Sequence, residues 1–241
     1  MNAQHPAARA FAWVGAVLFA AALVYFLFSY SVTFGEIVEG QAAPGAIAFN
    51  IALFSAFALH HSIFARDAVR ALVKRTVSAP LERSVYVWIA SLMLIGVCYA
   101  WRPIAGVAWQ IPSRWSSVIV AVQLVGVWLS LQGAVVIDAL DLAGVRQVSK
   151  PKTQIPQPKS EMAFKTDGPY GWVRHPIYLG WILIVFGVGT MTMTRLVFAV
   201  ISSVYVLIAI PFEERTLLGH SAGAYEDYRR RVPWKLIPRI Y

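Results

Sequence analysis

Two short stretches hold most of the side chains that could do chemistry. Residues 168–180 read GPYGWVRHPIYLG and set Arg174 and His175 directly before Pro176. Residues 211–220 read PFEERTLLGH and hold Glu213, Glu214, Arg215 and His220. Brought together, these groups suit a zwitterion that carries an additional positive centre. An arginine takes a carboxylate bidentately, a glutamate takes an ammonium group, and a helix start offers free N–H donors. The Gly168-Pro169-Tyr170-Gly171 turn lets backbone approach a ligand closely. S-adenosylmethionine has this charge pattern, although the pattern alone does not single it out. On this reading Glu213 and Glu214 hold the amino group and Arg174 the carboxylate. His175 and the Tyr170 turn shape the wall, and Arg215 or Arg146 steers an anionic acceptor. The alternative is that the same charges only anchor helix ends among lipid headgroups.

The elements that must position these residues lie in a membrane. The chain has 241 residues, of which 58% are hydrophobic and 14% charged, against about 25% charged in soluble domains. The net charge of +9 falls between apolar runs, which points to membrane orientation and anionic lipid and not to nucleic acid. Cys98 is the single cysteine, so neither an intrachain disulfide nor a cysteine metal site can form. The expected fold is all-α and polytopic, with about six spans at 11–30, 46–64, 84–101, 115–137, 176–192 and 196–212. The last two lie close together and read as a helical hairpin. Loop 31–45 carries Glu36 and Glu39 without Lys or Arg, whereas 66–83, 138–175 and the tail are rich in both. Both termini are therefore expected in the cytoplasm. Residues 149–159, SKPKTQIPQPK, contain three prolines and read as a mobile linker.

Pro176 suits the first turn of a helix, where its missing N–H costs nothing. Arg174 and His175 then stand at the cytoplasmic mouth of the fifth span, and a hairpin returns Glu213 and Glu214 to that mouth. Ionisable groups at membrane depth are functional candidates by default.

At these residues the chain resembles integral-membrane methyltransferases of the isoprenylcysteine carboxyl methyltransferase type. GPYGWVRHPIYLG is similar to that family's Gly-Pro-Tyr…Arg-His-Pro-x-Tyr-x-Gly signature, and EERTLLGHSAGAYEDYRRRVPWKLIP to its Glu-Glu-x-x-Leu…Tyr-x-x-Tyr…Val-Pro…Pro tail. The resemblance implies an S-adenosylmethionine site built from Tyr170, Arg174, His175, Pro176, Tyr178, Gly180, Glu213, Glu214, Tyr225 and Tyr228. It implies methyl transfer at the cytoplasmic membrane interface to a small or lipophilic acceptor. In the first half, HHSIFAR (60–66), ERSVYV (82–87), WRPI (101–104) and GVRQV (144–148) are similar to bacterial methanethiol S-methyltransferases and to related membrane proteins linked to nitric oxide reduction. That likeness implies a bacterial inner membrane and singles out His61. The chain departs from that group at residues 139–144, which lack its histidine, and in having Tyr178 as the carboxyl methyltransferases do. The acceptor class therefore stays open among thiol, carboxylate and lipid.

The expected organisation is one domain over 1–241, with N-terminal spans to 137, a cytoplasmic loop over 138–175 and a catalytic hairpin with tail over 176–241. Adjacent His60 and His61 point about 100° apart on a helix, so they do not easily share a metal, and none is expected. Asp138, Asp141, Arg146 and Gln147 either line the cleft or form surface ion pairs. A non-enzymatic carrier is the alternative class, with His60 or His61 paired with His175 around a haem or another small molecule of nitrogen-oxide metabolism.

Overall fold

A chain in lipid must satisfy every backbone N–H and C=O internally, which apolar runs achieve by forming helices. A computed structural model describes residues 6–41, 43–64, 66–149 and 168–241, with the side chains of residues 67 and 220–222 excepted. The proline-rich linker over 149–159 therefore lies, beyond Ser149, outside the described residues, as does the side chain of His220. In chain order the elements are α1 (Pro6–Ser31), α2 (Pro44–Phe64), α3 (Asp67–Thr76), α4 (Glu82–Ala100), β1 (Val107–Gln110), α5 (Ser116–Ile137), the short α6 (Ala139–Leu142) and α7 (Arg146–Ser149), α8 (Pro176–Phe186), β2 (Thr190–Thr192) and α9 (Met193–Arg231). Among the described residues, five helical segments are long and apolar enough to cross a membrane. The fold is all-α and polytopic, as the composition implies.

The expected fifth span is shorter than its apolar run. α8 has 11 residues, about 16 Å of helix against a bilayer core of about 30 Å. It stops at Gly187, where a Cβ would stand 2.5 Å from the Leu183 carbonyl and 3.0 Å from Val122. Beyond it, β-branched Thr190 and Thr192 flank Met191 in β2, which pairs with β1. The sixth helix is longer than expected. It begins at Met193 and runs through Glu213 and Glu214 to Arg231.

The chain divides into two compact units: residues 1–106, 139–155 and 192–194 form one, and residues 107–138, 156–191 and 195–241 the other. In the first unit α1 packs on α4. Phe11 stacks on Trp88 at 5.4 Å, and a Cβ on Gly15 would meet the Trp88 ring at 2.8 Å. Asn50, fully buried within α2, exchanges two hydrogen bonds with the Arg102 backbone, at 2.8 and 2.9 Å.

In the second unit α8 lies against α5 through small residues. A Cβ on Gly126 would come within 2.7 Å of the Gly180 carbonyl, and one on Gly180 within 2.5 Å of the Gly126 carbonyl. Close backbone approach through small residues is the usual way membrane helices associate. α8 runs antiparallel to α9, with Trp181 against Phe198 and its Nε1 donating to Ser202 Oγ at 3.0 Å. These contacts make the expected hairpin.

Gly126→Ala should therefore force α5 and α8 apart, at a cost of about 1–3 kcal/mol. Gly96→Ala, on α4, meets nothing within 4 Å and should be neutral or stabilise by up to ~1 kcal/mol. Thermal unfolding of both variants in one detergent checks the pair. A Gly126→Ala protein that melts with the wild type would contradict the close approach.

Candidate active site

The second unit collects the charged residues of the two motifs. Pro176 opens α8, and His175 stands before it with an extended φ of −125°. The His175 carbonyl accepts from the Tyr178 and Leu179 N–H groups, both at 3.1 Å. This start aims Arg174 and His175 at α9. Arg174 Nε donates to Glu214 Oε1 at 2.8 Å, with the two side chains 4% and 9% exposed. Arg174 Nη1 donates to the Val232 and Pro233 carbonyls at 2.9 and 2.6 Å. His175 Nε2 lies 3.3 Å from the same Glu214 oxygen. Glu213, one residue earlier, stays 47% exposed, accepts from the Tyr178 hydroxyl at 2.9 Å and lies 3.6 Å from His175 Nδ1. The His175 and Tyr178 rings stack at 5.5 Å with 5° between their planes.

These distances also shape α9. A straight helix would separate Glu214 from Val232 by about 27 Å, a gap that one guanidinium cannot bridge. Yet Arg174 touches both, so α9 bends back between them. Gly219 and Gly223 fall in this stretch, and glycine is among the recognised causes of a helix kink. Leu217 and Leu218 on one side of the bend pack against Tyr225, Tyr228 and Val232 on the other. The segment after the helix then straps the motif, with the Arg174 N–H donating to the Trp234 carbonyl and the His175 N–H to the Lys235 carbonyl, each at 2.9 Å.

Most of the expected binding residues thus converge. Tyr170, Arg174, His175, Tyr178, Glu213, Glu214, Tyr225 and Tyr228 share one neighbourhood, and the Tyr228 hydroxyl donates to the Tyr170 carbonyl at 2.9 Å. Pro176 and Gly180 serve local geometry, the first as helix start and the second as the contact with α5. Of the three residues expected to act on the acceptor, Arg215 is exposed on α9, 5.8 Å over the Phe212 ring. Arg146 and His61 belong to the first unit. Arg146 opens α7, and His61 Nδ1 is hydrogen-bonded to the Tyr86 hydroxyl. There, too, Asp141 accepts from Gln147 at 3.1 Å, and Glu82 pairs with Arg70 at 3.0 Å. Among the described residues no group of three or more His, Cys, Asp or Glu could hold a metal.

Residues 131–218 match the isoprenylcysteine carboxyl methyltransferase family. Methanethiol S-methyltransferase 2 of Bradyrhizobium diazoefficiens is 34% identical over 93% of this chain and 88% of its own length. Methanethiol S-methyltransferase of Mycobacterium tuberculosis is 34% identical over 89% and 94%, and that of Crocosphaera subtropica 37% over 81% and 76%. The chain belongs to the isoprenylcysteine carboxyl methyltransferase family. It is an integral membrane methyltransferase rather than a non-catalytic carrier. A Nurim homolog of Drosophila melanogaster is also similar, at 28% identity over 70% and 69%. No solved structure matches.

Within this methyltransferase the site's phenols stay protonated at neutral pH. Burial, then Glu213 and Tyr228, holds Tyr170 above the ordinary phenol range. Burial, then Glu214, does the same for Tyr225. Burial pushes Tyr228 up to about 12 against the opposing pull of Arg174. A protonated phenol can donate a hydrogen bond, as the Tyr228 hydroxyl does to the Tyr170 carbonyl, but cannot act as a base. The motifs do not reveal the backbone carbonyls of residues 232–235 as partners of Arg174 and His175. The signal available was the Val-Pro-Trp run directly after the arginine-rich helix end, which marks where the helix stops and the carbonyls come free.

The two adjacent glutamates should therefore behave differently. Glu214→Gln leaves the buried Arg174 without its counter-charge, and breaking a buried pair costs on the order of 3–5 kcal/mol. Glu213→Gln, at the surface, should cost about 0–1 kcal/mol. Denaturation curves of the two variants test this, and equal stability losses would contradict the buried pair.

Proposed function

We propose that this methyltransferase uses S-adenosylmethionine, works at the cytoplasmic face of the membrane and methylates a small thiol. The observation that carries the cofactor reading is the half-exposed Glu213 carboxylate beside the mutually paired Arg174–Glu214–His175 group. The fit is chemical: an accessible carboxylate next to a phenol hydroxyl and an imidazole suits an ammonium group. Glu213 would hold that group, Tyr178 would orient Glu213 through their hydrogen bond, and the Tyr170 turn would supply backbone at the wall. Glu214 is shifted by this reading from ligand to support, since its Oε1 serves both Arg174 and His175.

S-adenosylmethionine supplies a methyl group on a positively charged sulfur. The protein's own contribution is to position the partners and exclude water. The thiol reading is supported by the names of the relatives, which are methanethiol S-methyltransferases over most of their length. The loop charges support cytoplasmic termini, and the bacterial relatives support an inner-membrane location. The whole chain, 1–241, is read as one methyltransferase domain, with Arg215, Arg146 and His61 kept as the candidates for acting on the acceptor.

Glu213→Gln removes the charge and keeps one hydrogen bond. A hydrogen bond to a charged group is worth about 1.5–3 kcal/mol, so S-adenosylmethionine affinity should fall roughly ten- to a hundredfold. Calorimetry on detergent-purified protein, with gel filtration as the folding control, reads this out. Wild-type affinity in that variant would remove Glu213 from the site.

The pH dependence identifies the acceptor. The thiolate is the nucleophile and an ordinary thiol titrates near about 8.5, so transfer of labelled methyl to methanethiol should rise as pH increases through that range. A carboxylate acceptor, ionised well below neutrality, gives a flat profile from about pH 6 to 9. A flat profile with methanethiol as substrate would contradict thiolate formation as the pH-sensitive step.

A further inference from the structure

A cavity of about 660 Å³ opens beside the strap and is lined by Arg174, Glu226, Arg229, Arg230, Pro233 and Lys235. Arg174 is neutralised by Glu214. Of the rest, three cations face one acid. Such a lining repels an ammonium or a sulfonium and attracts an anion, so its chemistry is opposite to that of the Glu213 carboxylate. Arginine pairs bidentately with phosphate oxygens, and two consecutive arginines with a lysine make a phosphate-class lining.

The position of the cavity identifies the source of that phosphate. Had α9 stayed straight, Arg229 and Arg230 would stand more than about 20 Å beyond Glu214, clear of any headgroup layer. The bend instead brings them to a cavity shared with Arg174, whose partner Glu214 lies in the helical segment Met193–Gly219 that is fit to cross the bilayer. The strap also presents apolar surface at this level, with Ile237 41% and Ile240 77% exposed. Basic groups beside exposed aliphatic side chains are the composition of a surface that rests in the headgroup region. The site is an open cleft wider than a bare phosphate, so a larger headgroup can reach its lining.

We propose that this cavity binds the phosphate-bearing headgroup of an anionic phospholipid at the membrane face of the site. The inference is independent of the methyl acceptor, and its test does not use methyl transfer.

The full chain, purified in a neutral detergent, is titrated with short-chain phosphatidylglycerol, with short-chain phosphatidylcholine and with inorganic phosphate. Phosphatidylglycerol should bind saturably and phosphatidylcholine should bind at least about tenfold more weakly. The Arg229→Gln/Arg230→Gln double variant should lose about thirtyfold in phosphatidylglycerol affinity, at about 1 kcal/mol for each basic residue at an anionic surface. Lys235→Gln should lose about fivefold by the same reckoning. S-adenosylmethionine affinity, measured on the same preparations, should not change, which separates this proposal from the cofactor reading. Equal binding of the two lipids, or unchanged affinity in both variants, overturns the proposal. Inorganic phosphate that binds as tightly as phosphatidylglycerol and displaces it also overturns it, because the occupant would then be a soluble anion.

Discussion

The buried contact between Arg174 and Glu214 is the constraint on which the second unit depends. Its two charges are almost wholly withdrawn from solvent, a state that is costly unless each lone pair and proton finds a partner. The surrounding architecture supplies those partners. Pro176 starts α8 where Arg174 can reach across the hairpin. His175 adds a second group to Glu214, and the Val232 and Pro233 carbonyls accept from Arg174 Nη1. Those carbonyls lie just past the C-terminus of α9, an end at which positive charge is favourable. The bend in α9 goes with the same contact, because one side chain touches Glu214 within the helix and Val232 just past its end, 18 residues on. The small residues between α5 and α8 then hold the other side of the hairpin in place.

The first unit uses the same economy on a smaller scale. The motifs quoted from the N-terminal half meet through polar contacts: Ser84 Oγ donates to the Gly144 carbonyl at 2.9 Å, Arg83 Nε to the Leu142 carbonyl at 3.2 Å, and Arg83 lies 5.0 Å over the Tyr86 ring. Gly144 sits at φ +78°, and a Cβ there would strike the Ser84 backbone at 2.8 Å. Residues 82–87 and 144–148, separate motifs in the sequence, are thus joined in the fold, with the Ser84–Gly144 bond between them. The departure at residues 139–144 falls where α6 leads into that glycine.

Much of this was legible in the sequence, for physical reasons that also mark where it stopped. Apolar runs of bilayer length announced the long helices, and the proline after Arg174-His175 announced a helix start. The proximity of Glu213 and Glu214 to Arg174 followed from two spans too close in sequence to be anything but a hairpin. The end of α8 at Phe186 was not legible, because Val188 and Met191 continue the apolar run and hydropathy does not register the glycines among them. The unequal fates of Glu213 and Glu214 were hidden as well. Adjacent helical residues point about 100° apart, so one faces the guanidinium and the other the solvent, and which is which depends on helix rotation. The bend in α9 was illegible because it accompanies contacts to a side chain in the segment before α8, about 40 residues earlier.

The strap has a consequence for how the protein is made. Arg174 and His175 leave the ribosome some 60 residues before Trp234 and Lys235, whose carbonyls receive their N–H groups. At about 5–20 residues per second, the motif waits for several seconds with its guanidinium exposed to whatever is near. During that interval α8 has its proline start but lacks the contacts that fix it to α9. Completion of this corner of the fold is consequently a late event in biogenesis, reached only after the helix that carries Glu214 has been synthesised and has turned back on itself.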